Sequence, residues 1–241
     1  VTADYTWGWT TEEAFRKYTG STDKEKNPGV LTKLGTTDYK NVLELAKQAG
    51  AEVLVLVLFG KDMEIGCKQA HEMGLKSNMQ VVVPNMTLDM AEGGGPEAME
   101  GVISATPWYW KSALEMNNPK AAAFIKKFEE KYNRYPSTSG ASAYTIMHEY
   151  KAAVERAKTF DTDAVIKALE GHKYVSLKDE QYWRPFDHQS VQTVYAVKIK
   201  KAGDVKKSKY GLDYYDIINT MRTRPSRWRS GPRCGRRSAR R

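Results

Sequence analysis

Residues 53–58 read Val-Leu-Val-Leu-Val-Leu, six consecutive apolar side chains followed by Phe59 and Gly60. A run of this length, closed by a turn signal and rich in β-branched residues, fits a strand covered on both faces. Strands of that kind belong to parallel sheets, and parallel neighbours need helical crossovers between them. The chain on either side should therefore alternate strand with helix.

It does so through residue 106. Residues 1–3 read as the end of a strand, and Thr10-Thr11-Glu12-Glu13 as the capping box of the first helix. Val30 to Leu34 is a short strand candidate. Tyr39, Val42, Leu43, Ala46 and Ala49 then repeat at helical spacing, with Gly50 as the closing residue. Residues 61–73 form the next helix, Met79 to Val83 a strand ended by Pro84, and Gly101 to Thr106 another strand. Gly93-Gly94-Gly95-Pro96 reads as a loop; it lacks the lysine of a phosphate-binding loop. Beyond Pro107 the pattern turns helical. Asn118-Pro119 opens a helix to about Tyr132, Gly140 to Lys158 is a second, and Asp161 or Thr162 caps a third that ends at Gly171. Residues 172–191 read as irregular and Thr193 to Ile199 as a last strand. The fold class is α/β, with open, mostly parallel sheets and flanking helices. Three helices and one strand cannot cover a sheet of their own, so the second half reads as the remainder of another lobe. The helix at 140–158 should then expose Ala143, Ile146, Met147 and Tyr150.

The net charge of +9 would suggest nucleic acid, but its location argues otherwise. Residues 222–241 hold nine arginines and no acid, and without them 29 basic residues face 29 acidic ones. A basic arm for phosphates is one reading of that segment. A solvated, disordered tail, or translation out of frame, is the preferred one. No eighteen-residue apolar run spans a membrane. Cys67 falls on the apolar side of a helix and Cys234 in the arginine-rich segment, so a disulfide between them is not expected. His71, His148, His172 and His188 show no metal spacing, and no nucleophile stands beside a base. No metal, cofactor or catalytic residue is expected.

In open α/β sheets ligands sit beyond the carboxyl ends of the strands. The segments there are Tyr5-Thr6-Trp7-Gly8-Trp9, Phe59-Gly60, Pro84-Asn85-Met86 and Pro107-Trp108-Tyr109-Trp110, which carry four of the six tryptophans. Any single ring is most simply a core ring; the group, interleaved with polar residues, fits a cleft. Trp7, Phe59, Asn85, Trp108 and Tyr109 are the candidate ligand-binding residues.

Several segments, in order, carry a resemblance. Tyr5-Thr6-Trp7-Gly8, Gly35-Thr36-Thr37-Asp38-Tyr39, Gly50-Ala51-Glu52-Val53 and Pro96-Glu97-Ala98-Met99-Glu100-Gly101-Val102 are four of them. Ala141-Ser142-Ala143-Tyr144 and Arg184-Pro185-Phe186-Asp187-His188-Gln189 follow. Together they resemble the branched-chain amino acid (leucine/isoleucine/valine) binding proteins of ABC importers, as a C-terminal fragment. The resemblance implies a type I periplasmic binding protein-like fold of two lobes, with lobe one incomplete. Residues 1–106 would form most of lobe two, 107–191 the late part of lobe one, 192–221 a return toward lobe two, and 222–241 the tail. It implies a receptor in the periplasm or outside the cell that encloses an amino acid or other small carboxylate, the rings suiting an aromatic one. The partner would be an ABC importer permease. Trp7 and Phe59 match ring positions of the family, while Asn85 stands where the family's acid receives an ammonium. A ligand-sensing domain of a signalling protein is the alternative, and an α/β enzyme fits worst.

Overall fold

A computed structural model describes residues 1–222. β1 (Thr2–Ala3) runs into α1 (Thr6–Thr19), and β2 (Leu31–Thr32), α2 (Lys40–Gln48), β3 (Val53–Val55), α3 (Lys61–Glu72) and β4 (Gln80–Val83) continue the alternation. α4 (Leu88–Gly94) and α5 (Pro96–Met99) lead to β5 (Ile103–Thr106). Four helices follow: α6 (Trp110–Glu115), α7 (Pro119–Tyr132), α8 (Thr138–Ala157) and α9 (Thr162–Leu169). β6 (Lys173–Tyr174), β7 (Gln181–Trp183) and β8 (Ser190–Val191) precede β9 (Val194–Ile199), α10 (Ala202–Lys207) and β10 (Tyr215–Met221).

Five strands pair in the order β10-β9-β5-β4-β3, with β3, β4 and β5 mutually parallel and β9 antiparallel to both of its neighbours, β5 and β10. The parallel pair β1-β2 joins where the chain of β3 runs on: Thr2 bridges Val57, and the Ala3 N–H donates to the Val57 carbonyl at 3.0 Å. Five parallel strands thus end on one edge. Leu56 and Leu58 are fully buried, each contributing about 1.5–3 kcal/mol relative to exposure. Gly66 lets α3 close on them, since a Cβ there would lie 2.9 Å from Leu58 Cδ1. Burial on both faces begins only at Leu56; Val53, at the rim, is 52% exposed.

Three local expectations are corrected. Thr10 does not cap α1, which begins at Thr6 behind Tyr5; its hydroxyl donates back to the Thr6 and Trp7 carbonyls at 2.9 and 3.2 Å. Threonine makes either bond, and here the backward one wins. Gly93 and Gly94 are helical, because Thr87 caps α4 through the Met90 N–H and the helix carries Leu88, Met90 and Ala91 into the core. Only Gly95, at φ 86°, breaks the chain. Residues 172–191 hold the small antiparallel sheet β6-β7-β8, whose two- and three-residue strands leave no periodicity to detect. The caps at Asn118 and Asp161 form as expected. On α8, Ala143, Ile146, Met147 and Tyr150 are exposed. The arginine-rich segment, apart from Arg222, lies outside the described residues, as does Cys234.

Candidate functional site

The shared edge of the parallel strands gathers the segments picked out by sequence. After β1 the chain turns at once into α1, whose first turn carries Trp7. Gly8 permits that turn to rest on β1: a Cβ there would lie 1.9 Å from the Ala3 carbonyl oxygen. Past β3, Gly60 adopts φ 60°, ψ −135°, a conformation that side chains avoid, and so turns the chain from Phe59 into α3. The Trp7 and Phe59 rings meet edge to face, with centroids 5.6 Å apart at 63°. Tyr5 stacks on Trp7 at 5.9 Å. Phe59 is 42% exposed and Trp7 half-buried. Two large rings fixed against each other yet open to solvent offer contact area at little entropic cost.

Asn85 follows β4, the strand next to β3, and is half-buried. The Met86 N–H donates to the Ala105 carbonyl at 3.0 Å, which holds this loop against β5. The acids on these segments are engaged elsewhere. Asp4 accepts from the Trp9 indole at 3.0 Å, buried Asp62 accepts from the Gly35 N–H at 3.0 Å, and Asp89 faces Arg134 at 3.9 Å.

The rings after β5 turn inward. Trp108 is buried, its Nε1 donating to the Leu177 carbonyl at 3.1 Å. Tyr109 is 1% exposed, and its hydroxyl donates to Asp213 Oδ1 at 2.6 Å. Trp110 stacks on Tyr135 at 3.8 Å and donates to the Leu212 carbonyl at 3.2 Å. The structure therefore brings Trp7 and Phe59 together, sets Asn85 one strand along, and seats Trp108 and Tyr109 in the core cluster.

Two polar centres escaped the sequence reading. Asp213 accepts from Tyr109, from Lys200 Nζ at 2.6 Å and from Lys111 Nζ at 3.1 Å. Burial pushes its carboxyl up, but the bonds from Lys200, Tyr109 and Lys111 outweigh this and hold it below the usual value. Lys178 is 4% exposed and donates to the Pro107 carbonyl at 2.5 Å and to the Thr193 carbonyl at 2.7 Å. It ties the chain leaving β5 to the chain entering β9, and burial pushes its ammonium down to about 8. A lone lysine in an irregular stretch and an aspartate after a 3₁₀ turn carry no sequence signal for either role.

The family model described as periplasmic binding protein matches residues 1–204, and the chain belongs to that family. Its fold is the type I periplasmic binding protein fold. A periplasmic binding protein from Burkholderia mallei superposes with a TM-score of 0.78 at 24% identity, covering 92% of this chain and 56% of that one. A branched-chain amino acid ABC transporter ligand-binding protein from Burkholderia xenovorans gives 0.70 at 26% identity, covering 92% and 57%. An ABC transporter solute-binding protein from Rhodopseudomonas palustris, in complex with p-hydroxybenzoic acid, gives 0.72 at 22%, covering 92% and 59%. The chain thus spans less than two thirds of the length of these structures. No curated protein sequence matches it. Among the described residues, no helix is long and apolar enough to cross a membrane.

Proposed function

We propose that this chain is part of the solute-binding receptor of an ABC importer, non-catalytic, acting in the periplasm or outside the cell and delivering its ligand to a membrane permease. In this reading residues 1–106 and 192–221 contribute to one lobe, residues 107–191 to the other, and a small carboxylate is enclosed between them. The observation that carries it is the solvent-open Trp7–Phe59 pair at the ends of parallel strands. The chemistry around Asn85 favours an acid without an ammonium group. An amide cannot neutralise a buried cation, an unpaired buried charge is costly, and the acids on these segments are committed to other partners. An aromatic acid therefore fits better than an α-amino acid, and the branched-chain type of ligand is the poorer choice.

The test is titration calorimetry of the protein encoded by the whole gene, against 4-hydroxybenzoate, benzoate and leucine. Removing a desolvated aromatic anchor costs about 2 kcal/mol, roughly thirtyfold in affinity. Trp7→Ala and Phe59→Ala should each lose that much with the melting temperature unchanged. Asn85→Asp should shift preference toward leucine. Normal binding by Trp7→Ala would remove this pair from the site.

A further inference from the structure

We propose that the cavity between α8 and the β6-β7-β8 sheet is a binding site for a small monocarboxylate with a flat, ring-bearing body. The cavity measures about 350 Å³, within the range of small-molecule sites. Of the five candidate ligand-binding residues only Trp108 lines it, and Trp7, Phe59 and Asn85 do not, so it is distinct from the Trp7–Phe59 edge and stands without it.

Its chemistry follows from what its lining leaves unpaired. An ammonium has three N–H bonds. Lys178, which lines the cavity, gives two of them to the Pro107 and Thr193 carbonyls, and the third has no acceptor among the described residues. The adjacent acid supplies a charge but no bond: Asp179 raises the Lys178 pKa through space, while its Oδ2 accepts from the Thr193 hydroxyl at 2.6 Å. With Asp179 as a near but unbonded counter-charge, the third N–H of this buried ammonium is still unmatched, a cost that an acceptor oxygen in the cavity would relieve. Trp183, also on the lining, keeps its buried Nε1 without an acceptor. Two buried donors without acceptors on one cavity call for an anionic oxygen.

The walls suit a ring. Trp183 stacks on Tyr174 at 5.7 Å, and Trp108 and Leu177 add apolar surface. Ser142 and Thr145 supply hydroxyls from α8. The other charged groups on the lining are exposed and paired: Asp187 with Arg184, and His188 with Glu170 at 2.9 Å. They do not compete for an anion at Lys178.

The experiment is calorimetric titration of the 241-residue chain with benzoate and with benzamide, its uncharged counterpart. Benzoate should bind at least tenfold more tightly. Lys178→Met should lose at least tenfold in benzoate affinity and leave benzamide unchanged. Ser142→Trp, at the exposed rim, should block both ligands while circular dichroism stays native; it decides the matter if Lys178→Met does not fold. Benzoate binding should survive Trp7→Ala. No benzoate binding at millimolar concentration, equal affinity for benzamide, or full affinity in Lys178→Met or Ser142→Trp would overturn the proposal. Loss of benzoate binding in Trp7→Ala would overturn it too, and would assign the binding to the aromatic pair instead.

Discussion

Replacing Asp213 should destabilise the fold in a pH-dependent way whose size can be worked from its contacts. Its carboxylate is 19% exposed and accepts three hydrogen bonds. Bonds to a charged group contribute roughly 1.5–3 kcal/mol when buried. Lys111 is 42% exposed and is discounted to well under about 1 kcal/mol. Lys200, at 15%, and the buried Tyr109 hydroxyl carry the rest. Asp213→Ala should therefore cost about 3 kcal/mol, and Asp213→Asn, which keeps one acceptor, about 2 kcal/mol. In a chain this long, 1 kcal/mol corresponds to about 2–4 °C in melting temperature, so Asp213→Ala should melt roughly 6–12 °C lower. The folded-state pKa is depressed. The contribution is thus fully present above the unfolded value of about 3.9 and is lost as pH falls through the folded value. Urea melts from pH 7 down to pH 2.5 should show the gap between wild type and Asp213→Asn constant above about pH 5 and closing below about 3.9. Tyr109→Phe should cost about 1 kcal/mol and couple to Asp213→Asn in a double-mutant cycle. An Asp213→Asn protein as stable as wild type at pH 7, or a gap that does not narrow as pH falls below about 3.9, would refute the reasoning.

Other outcomes follow from single contacts. Gly8→Ala places a Cβ against the Ala3 carbonyl and should cost about 2–3 kcal/mol; a change in the near-ultraviolet dichroism of Trp7 should report α1 lifting off β1. Asn118 caps α7 through the Lys120 and Ala121 N–H groups and donates to the Ser176 and Lys178 carbonyls, so Asn118→Ala should lower stability by about 2 kcal/mol and Asn118→Asp by less, in urea melts. Ile146 and Met147 are 57% and 66% exposed beside Tyr150; their joint replacement by glutamate should reduce self-association in sedimentation velocity without lowering the melting temperature. Burial pushes the Cys67 thiol up to about 12, so it should react with a thiol reagent only as fast as the protein opens.

What the sequence made legible was what repeats or abuts. The valine-leucine run, the helix at 40–48 and the strand at 80–83 announce themselves by period or continuity, because both faces of a strand or one face of a helix must be covered. The parallel strand ends then fall on one edge by topology, which is why Trp7 and Phe59 could be paired from sequence before their rings were seen to touch. Trp108-Tyr109-Trp110 looks equally suited to that edge on paper. What separates the two sets is the hydrogen-bonding end of each side chain. Trp108, Tyr109 and Trp110 find acceptors at Leu177, Asp213 and Leu212, 69 to 104 residues away. Phenylalanine has no such group to anchor, and the edge leaves its ring open. A tryptophan or tyrosine can be buried wherever an acceptor meets its polar end, and those acceptors stand in bends and loops without periodicity. Ring content marks where a site can be, whereas the partners of the polar ends, brought in by remote segments, decide which rings remain available to a ligand.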